Sequence, residues 1–139
     1  MNDYIAYTDG AYSSARKQGG VGIIFLKNNE LIFKYNKMYK DTTNNRMEIQ
    51  AVITAFNCIK NPIDSLTIYS DSMYVIGCTT LGWKREKNSD LWEIYQKSFD
   101  RLSKLCPKIE FIHVKGHNGD KYNEIVDKLA VEASQLISY

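Results

Sequence analysis

Four acidic residues stand where strands and helices of one fold can bring their side chains together. Asp9 and Asp71 each follow a short β-prone run. Glu48 stands near the start of a helical run, and Asp127 lies within the last helical run. Because sites in open α/β sheets form beyond the carboxyl ends of the strands, we expect the four carboxylates to converge there.

Converging carboxylates repel one another, so a cation is needed to keep all of them ionised near neutral pH. Hard divalent ions take oxygen ligands, and Mg²⁺ suits a few carboxylates with water and a substrate phosphate. Two ions about 3.5–4 Å apart can hold the attacking water and the leaving oxygen of a phosphodiester. The acids therefore indicate metal-assisted hydrolysis. His117, in a glycine-flanked loop, is a candidate for proton transfer because histidine titrates near neutrality.

Three of these residues also have an ordinary structural interpretation. Glu48 can be a capping acid favoured by the helix dipole, with Thr43 or Asn45 accepting a bond from a first-turn amide. Asp9 can simply start a turn. His117 can be a surface-loop histidine. The residues alone leave these alternatives open.

The hydrophobic pattern predicts the elements that must position the acids. Strands are predicted at 4–8, 21–26, 31–35, 66–69 and 109–114, with a loop at 13–20 and a hairpin connection at 27–30. Helices are predicted at about 47–60, 72–80, 91–105 and 123–137, the third capped by Ser89 or Asp90. A long connection that contains a helix separates the strand ending at Asp9 from the strand ending at Asp71, which predicts a crossover and parallel pairing of these two strands. The chain is thus expected to form one α/β domain over residues 1–139, a mixed five-stranded sheet with helices on both faces.

Composition agrees with a globular chain and excludes wholesale disorder. Of the 139 residues, 44% are hydrophobic and 24% charged, and no apolar run approaches the roughly 20 residues that cross a bilayer. Three widely spaced cysteines and the lack of a secretion signal fit a reducing cytosol. A cytoplasmic monomer without membrane or obligate protein partner is expected. The net charge of +2 permits a nucleic-acid partner without requiring one.

Six short motifs occur in order along the chain. They are Thr8-Asp9-Gly10, Thr42-Thr43-Asn44-Asn45-Arg46-Met47-Glu48, Ser70-Asp71-Ser72, Asp90-Leu91-Trp92, Val114-Lys115-Gly116-His117, and Asn123-Glu124 with Asp127. Any one is weak, but the ordered set resembles the type 1 ribonucleases H over almost the whole length. That family cuts the RNA strand of an RNA–DNA hybrid with Mg²⁺ or Mn²⁺, leaving a 5′-phosphate and a 3′-hydroxyl.

The resemblance implies an RNase H-like fold and a role for each matching residue. The implied metal ligands are Asp9, Glu48, Asp71 and Asp127, and His117 would assist proton transfer or product release. The implied contacts to the hybrid are Thr43, Asn44, Asn45, Arg46, Asn88 and Asn123. Of these, the two adjacent asparagines would lie in the minor groove, where neutral amides can bond base edges and ribose hydroxyls. Thr43, Arg46 and Asn88 would form a pocket for a DNA phosphate.

Two further residues have roles that the resemblance leaves open. Glu124 is a candidate for holding or releasing a metal. Trp83 can stack on a deoxyribose or cap the hydrophobic edge of the sheet, and Trp92 is expected in the core.

The chain departs from many relatives at three places. Met73 stands where Gln is common, and residues 13–18 lack an Asn-Pro-Gly sequence. The interval 74–90 is too short for a long basic protrusion, and only Trp83, Lys84, Arg85 and Lys87 keep its character. We expect weaker affinity for the hybrid as a result. Two rival functions remain, a DNA-cutting integrase or junction nuclease of the same fold and a catalytically silent hybrid-binding module.

Overall fold

The computed structural model describes residues 2–115 and 120–137, which form five strands and four helices. The elements are β1 (Asp3–Ser13), β2 (Gln18–Lys27), β3 (Glu30–Lys40), α1 (Asn44–Asn57), β4 (Ser65–Ser70), α2 (Met73–Thr80), α3 (Ser89–Ser103), β5 (Lys108–His113) and α4 (Lys121–Ser134). No helix in the described ranges has the length and apolar character needed to cross a membrane.

The strands form one sheet in the order β3-β2-β1-β4-β5. Strands β1, β2 and β3 pair antiparallel, whereas β4 pairs parallel with both β1 and β5. The predicted crossover is confirmed, because β1 and β4 pair parallel and α1 lies on the connection between them. The carboxyl ends of β1, β4 and β5 consequently point the same way.

Helices cover both faces of the sheet, as predicted. The larger core lies between one face of the sheet and helices α1, α2 and α3. Phe56, Ile68 and Leu102 are fully buried in it. A second core lies under α4, where Val126 packs against Ile24. This mixed sheet with helices on both faces is the predicted fold class.

The first strand is longer than predicted, and this changes the position of Asp9. Pairing with β2 continues to Ser13, so Asp9-Gly10 lies within the strand and the predicted turn there is wrong. Parallel pairing with β4 ends earlier, at Tyr7. Asp9 therefore lies just beyond the point where β1 separates from β4, so its carboxylate opens toward the carboxyl end of the parallel pair.

Other boundaries differ by a few residues for local reasons. The predicted loop 13–20 is shorter because β2 begins at Gln18, whose side-chain amide donates to the carbonyls of Ser134 and Leu136. The hairpin connection is confirmed as a two-residue turn, Asn28-Asn29, with φ values of 53° and 64°, the left-handed geometry that a tight hairpin needs. Asn88 rather than Ser89 or Asp90 precedes the first turn of α3.

Candidate active site

Three carboxylates meet at one end of the sheet. Asp9 comes from β1, Glu48 from the second turn of α1, and Asp71 directly follows β4. One oxygen from each lies within 4.8 Å of the other two. Asp9 is 3% and Glu48 7% exposed, whereas Asp71 is half-buried. The sequence prediction that these acids converge is thus confirmed for three of the four.

Gly10 explains how Glu48 reaches the cluster. A Cβ at position 10 would overlap the backbone of Met47 and Glu48, so only glycine lets α1 approach β1 this closely. The Gly10 amide donates to Glu48 Oε1 at 2.8 Å. Capping of α1 falls instead to Thr43, whose hydroxyl accepts from the Arg46 amide at 3.2 Å. The interpretation of Glu48 as a capping acid is therefore wrong.

Asp127 reaches the cluster from the opposite face of the sheet. Gly22 pairs with Asp9 across β1 and β2, and a Cβ on Gly22 would overlap the Val126 carbonyl. This close approach of α4 places Asp127 beside Asp9, near enough for a hydrogen bond between the carboxyl groups to raise the pKa of Asp9. Asp127 itself is exposed. The cluster thus has a buried floor and a solvent-facing rim.

The electrostatics of the cluster favour a bound cation. Burial first, and then the charges of Glu48 and Asp71, raise the pKa of Asp9 far above its ordinary value. Burial and the charge of Asp71 also raise the pKa of Glu48, against the opposing effect of the Gly10 amide. Within residues 2–115 and 120–137, no basic side chain forms a salt bridge with these acids. A set of oxygen donors with uncompensated charge fits a hard divalent ion such as Mg²⁺.

These shifts predict how stability depends on pH. A raised carboxyl pKa means that the folded state binds more protons than the unfolded state above the ordinary values of 3.8 and 4.5. Without metal, the cluster should therefore cost stability progressively as pH rises from about 5 to 9. Urea unfolding in EDTA should show the advantage of Asp9→Asn over the wild type growing across this range. An advantage that stays constant with pH would contradict the shifts.

Asn123 and Asp120 position the start of α4 beside the acids. Asp120 Oδ1 accepts from the Tyr122 and Asn123 amides at 3.0 and 3.1 Å, which caps the helix. Asn123, 6% exposed, donates its side-chain amide toward Asp71 Oδ2 at 3.5 Å. Glu124 is exposed on the next position. The cap by Asp120 was missed from the sequence, although an aspartate ahead of a helical run is the signal that would have found it.

The residues expected to contact a hybrid lie at the amino end of α1 and before α3. Thr43, Asn44 and Asn45 are exposed there. Arg46 is not free, because its Nη1 and Nη2 donate to the two oxygens of Asp90 at 3.0 and 2.8 Å. These bonds lower the pKa of Asp90 to about 2. Arg46 thus joins α1 to α3, and its guanidinium is already engaged by a carboxylate.

The short connector, residues 81–88, is folded back onto the helices. The Trp83 ring lies against Gly77 of α2 and is 46% exposed. Arg85 donates twice to the Cys78 carbonyl, and its guanidinium lies 4.9 Å from the centre of the Trp92 ring. Arg85 therefore belongs to the packing of the connector. Trp92 is 3% exposed, which confirms its expected place in the core.

His117 lies outside the described residues. Of the motif that contains it, the structure describes Val114 and Lys115. The Val114 amide donates to the Ser70 carbonyl at 2.9 Å. This bond holds the start of that segment next to Asp71.

The fold and the acidic cluster together define a class of protein, an α/β domain with a carboxylate site at the end of its sheet. The RNase H family model matches residues 1–135. A ribonuclease H of Trichodesmium erythraeum is 40% identical over 143 aligned positions, covering 94% of this chain and 88% of the relative.

Solved structures agree with this fold. Ribonuclease H1 of the archaeon Halobacterium salinarum superposes with a TM-score of 0.76 at 24% identity, covering 94% of this chain and 96% of that one. The LC11 ribonuclease H1, solved in complex with an RNA/DNA hybrid, gives a TM-score of 0.72 at 21% identity, covering 94% and 95%.

The chain belongs to the RNase H family. It is accordingly a nuclease, a hydrolase of the RNA strand in RNA–DNA hybrids.

Proposed function

We propose that this chain cleaves the RNA strand with a divalent ion, Mg²⁺ or in its place Mn²⁺, held by Asp9, Glu48, Asp71 and Asp127. One observation carries the proposal: three acids from separate elements of an RNase H-family chain bring oxygens within 4.8 Å of one another. Cleavage would leave a 5′-phosphate and a 3′-hydroxyl, as the resemblance implies.

Some of the proposed metal ligands are buried and others are exposed to solvent. The carboxylates of Asp9 and Glu48 would bind the ion from the protein interior, where the Gly10 amide orients the Glu48 carboxylate. Asp127 stands on the rim, where water and the phosphodiester enter. When bound, the divalent ion would supply a Lewis acid and lower the pKa of the attacking water. His117 is proposed to move a proton or assist product release.

The hybrid is proposed to lie across the amino ends of α1 and α3. Asn44 and Asn45 are exposed amides that can read both strands in a wide, shallow minor groove. Thr43 and Asn88 are proposed to contact a DNA phosphate, and Arg46 to add positive charge while it holds Asn88 and Asp90 in place.

Three candidates remain proposals at the edges of this surface. Asn123 is buried against Asp71, so we propose that it reaches the nucleic acid only at the scissile phosphate. Glu124 is exposed one residue further and is proposed to assist exchange of the metal. Trp83 offers a half-exposed ring for a deoxyribose.

A substrate comparison separates this proposal from its rivals. Labelled RNA–DNA hybrid, duplex DNA and duplex RNA are incubated with the protein and Mg²⁺, and each reaction is repeated with excess EDTA. We expect cleavage of the RNA strand in the hybrid alone, and none in EDTA. Cutting of duplex DNA would favour an integrase or junction nuclease. Tight binding of the hybrid without cleavage would favour a silent binding module.

We also propose a domain organisation, an oligomeric state and a cellular compartment for the protein. We propose that residues 1–139 act as one domain, because both cores pack on a single sheet. We further propose a cytoplasmic monomer. The three cysteines are free thiols, which fits a reducing compartment.

A further inference from the structure

The hydroxyl of Tyr74 joins three segments of the chain at the proposed phosphate site. It accepts from Trp92 Nε1 at 3.0 Å and from Asn88 Nδ2 at 3.1 Å. It also lies 3.3 Å from the Lys87 carbonyl, to which it can donate. One oxygen thus ties the start of α2 to the connector and to α3.

Counting protons settles the direction of each bond. The indole of Trp92 has no acceptor nitrogen and can only donate. The Lys87 carbonyl can only accept, so it takes the one proton of the Tyr74 hydroxyl. The Asn88 side chain must therefore turn its amide nitrogen, not its oxygen, toward Tyr74.

The other side of Asn88 requires the same orientation. Asn88 Oδ1 accepts from Arg46 Nη1 at 3.4 Å, and a guanidinium has no acceptor. If the amide were flipped, its nitrogen would face the Arg46 donor and its oxygen would face the Tyr74 hydroxyl, whose proton is already donated to Lys87. The hydrogen bonds to Arg46 and Tyr74 would then both be lost. Tyr74 and Arg46 consequently fix the Asn88 side chain in one orientation.

Asn88 itself does not act as an ordinary helix cap. It stands at the N-cap position of α3 in the left-handed region, with φ of 60°, and its side chain makes no capping bond. An asparagine at this position usually bonds the first-turn amides. Here the side chain is committed to the network, and one of its two amide protons has no acceptor among the described residues.

We infer that Tyr74 is a positioning residue for the hybrid, because it aims the remaining amide proton of Asn88 at the DNA phosphate. The inference rests on the proposed function, which places a phosphate contact at Asn88. Tyr74 touches no reacting atom, so it should affect the binding of the hybrid and leave the chemical step unchanged.

The test compares Tyr74→Phe, Asn88→Ala and the double variant. Dissociation constants for a hybrid are measured without cleavage, in EDTA, over a range of salt. We expect each single variant to weaken binding about fivefold, the effect of one hydrogen bond. The slope of log K against log salt should stay at the wild-type value, because a neutral amide contact displaces no counterion from the phosphate. The double variant should bind no more weakly than Asn88→Ala, because Tyr74 acts through Asn88.

Kinetics separate positioning from a purely structural role. In Mg²⁺, Tyr74→Phe should raise KM about fivefold and leave kcat within about twofold. The matched control is Tyr95→Phe, which removes the hydroxyl of a buried tyrosine that also packs against Trp92 and has no hydrogen-bond partner among the described residues. We expect Tyr95→Phe to change neither constant.

The outcomes distinguish the inference from the proposal beneath it. If Asn88→Ala binds the hybrid as tightly as the wild type, the proposed phosphate contact is wrong. If Asn88→Ala weakens binding but Tyr74→Phe does not, or if the two losses add, the role of Tyr74 is wrong. A fall in kcat with unchanged KM would also overturn it.

Relaxation of side-chain amides in the wild type gives a second test, should Tyr74→Phe unfold. The amide of Asn88 should be as rigid as the backbone, whereas the exposed amides of Asn44 and Asn45 should be mobile on the ps–ns timescale. An Asn88 amide as mobile as these two would contradict the inference.

Discussion

Replacing Asp9 with asparagine should lower the single-turnover rate of hybrid cleavage by at least ~1000-fold. Asp9 is the most buried acid of the cluster and lies among the other three. Asparagine keeps the shape but removes the charge that would bind the cation. The rate is measured with enzyme in excess over labelled hybrid, at saturating Mg²⁺.

Binding should separate this loss from a loss of the substrate surface. The dissociation constant for the hybrid in EDTA should stay within about twofold of the wild type, because most of the proposed contacts lie at the amino ends of α1 and α3. The matched control is Asp100→Asn, the same change at an exposed acid near the carboxyl end of α3 and outside the acidic cluster. It should cleave at the wild-type rate. Continued cutting by Asp9→Asn would refute the assignment of the metal ligands.

The Asp9 substitution should have the opposite effect on stability. In EDTA, removing one buried charge from a repelling cluster should raise the melting temperature by roughly 5–10 °C. Millimolar Mg²⁺ should stabilise the wild type by mass action and so reduce the difference in melting temperature between the two proteins. A gain in stability together with a loss of activity would mean that the repulsion among the acids serves catalysis and not folding.

The second large effect is expected at Gly10. Adding one methyl group in Gly10→Ala would force the backbone of α1 away from β1 at Met47 and Glu48. We expect a loss of about 3 kcal/mol or more in the free energy of unfolding, because backbone cannot yield as a side-chain end can. Urea unfolding of the metal-free protein measures it.

Gly82→Ala is the contrasting control for this prediction. Gly82 has φ of 73°, and a Cβ added there would meet nothing within 4 Å, so alanine should cost only about 1–2 kcal/mol of left-handed strain. Equal losses at the two positions would mean that close packing against α1 is not what Gly10 provides.

The sequence predicted the parts of the fold that hydrophobic periodicity encodes. The broad apolar face after Met47 predicted a helix buried on a sheet, and its residues Val52, Ile53 and Phe56 are buried as expected. The ends were less predictable, because they depend on distant partners. Asp9-Gly10 has the composition of a turn, yet pairing with β2 carries the strand to Ser13.

The site was predictable in its acids and less so in its surroundings. The order of the elements predicted that the acids converge, and Asp9, Glu48 and Asp71 do so. The pairing of Arg46 with Asp90 joins positions 44 residues apart, and no local pattern signals it. The inward turn of Arg85 likewise depends on the packing of Trp92 and Tyr95. The short connector thus retains fewer free charges than its composition indicated.

Crystals soaked in Mn²⁺ would test most directly whether the acids form one metal site. Anomalous scattering locates Mn²⁺ independently of any assumption about ligands or activity. We expect a peak in contact with carboxylate oxygens of Asp9, Glu48 and Asp71. Ordered Mn²⁺ elsewhere on the molecule, with none among these three acids at saturating concentration, would contradict it.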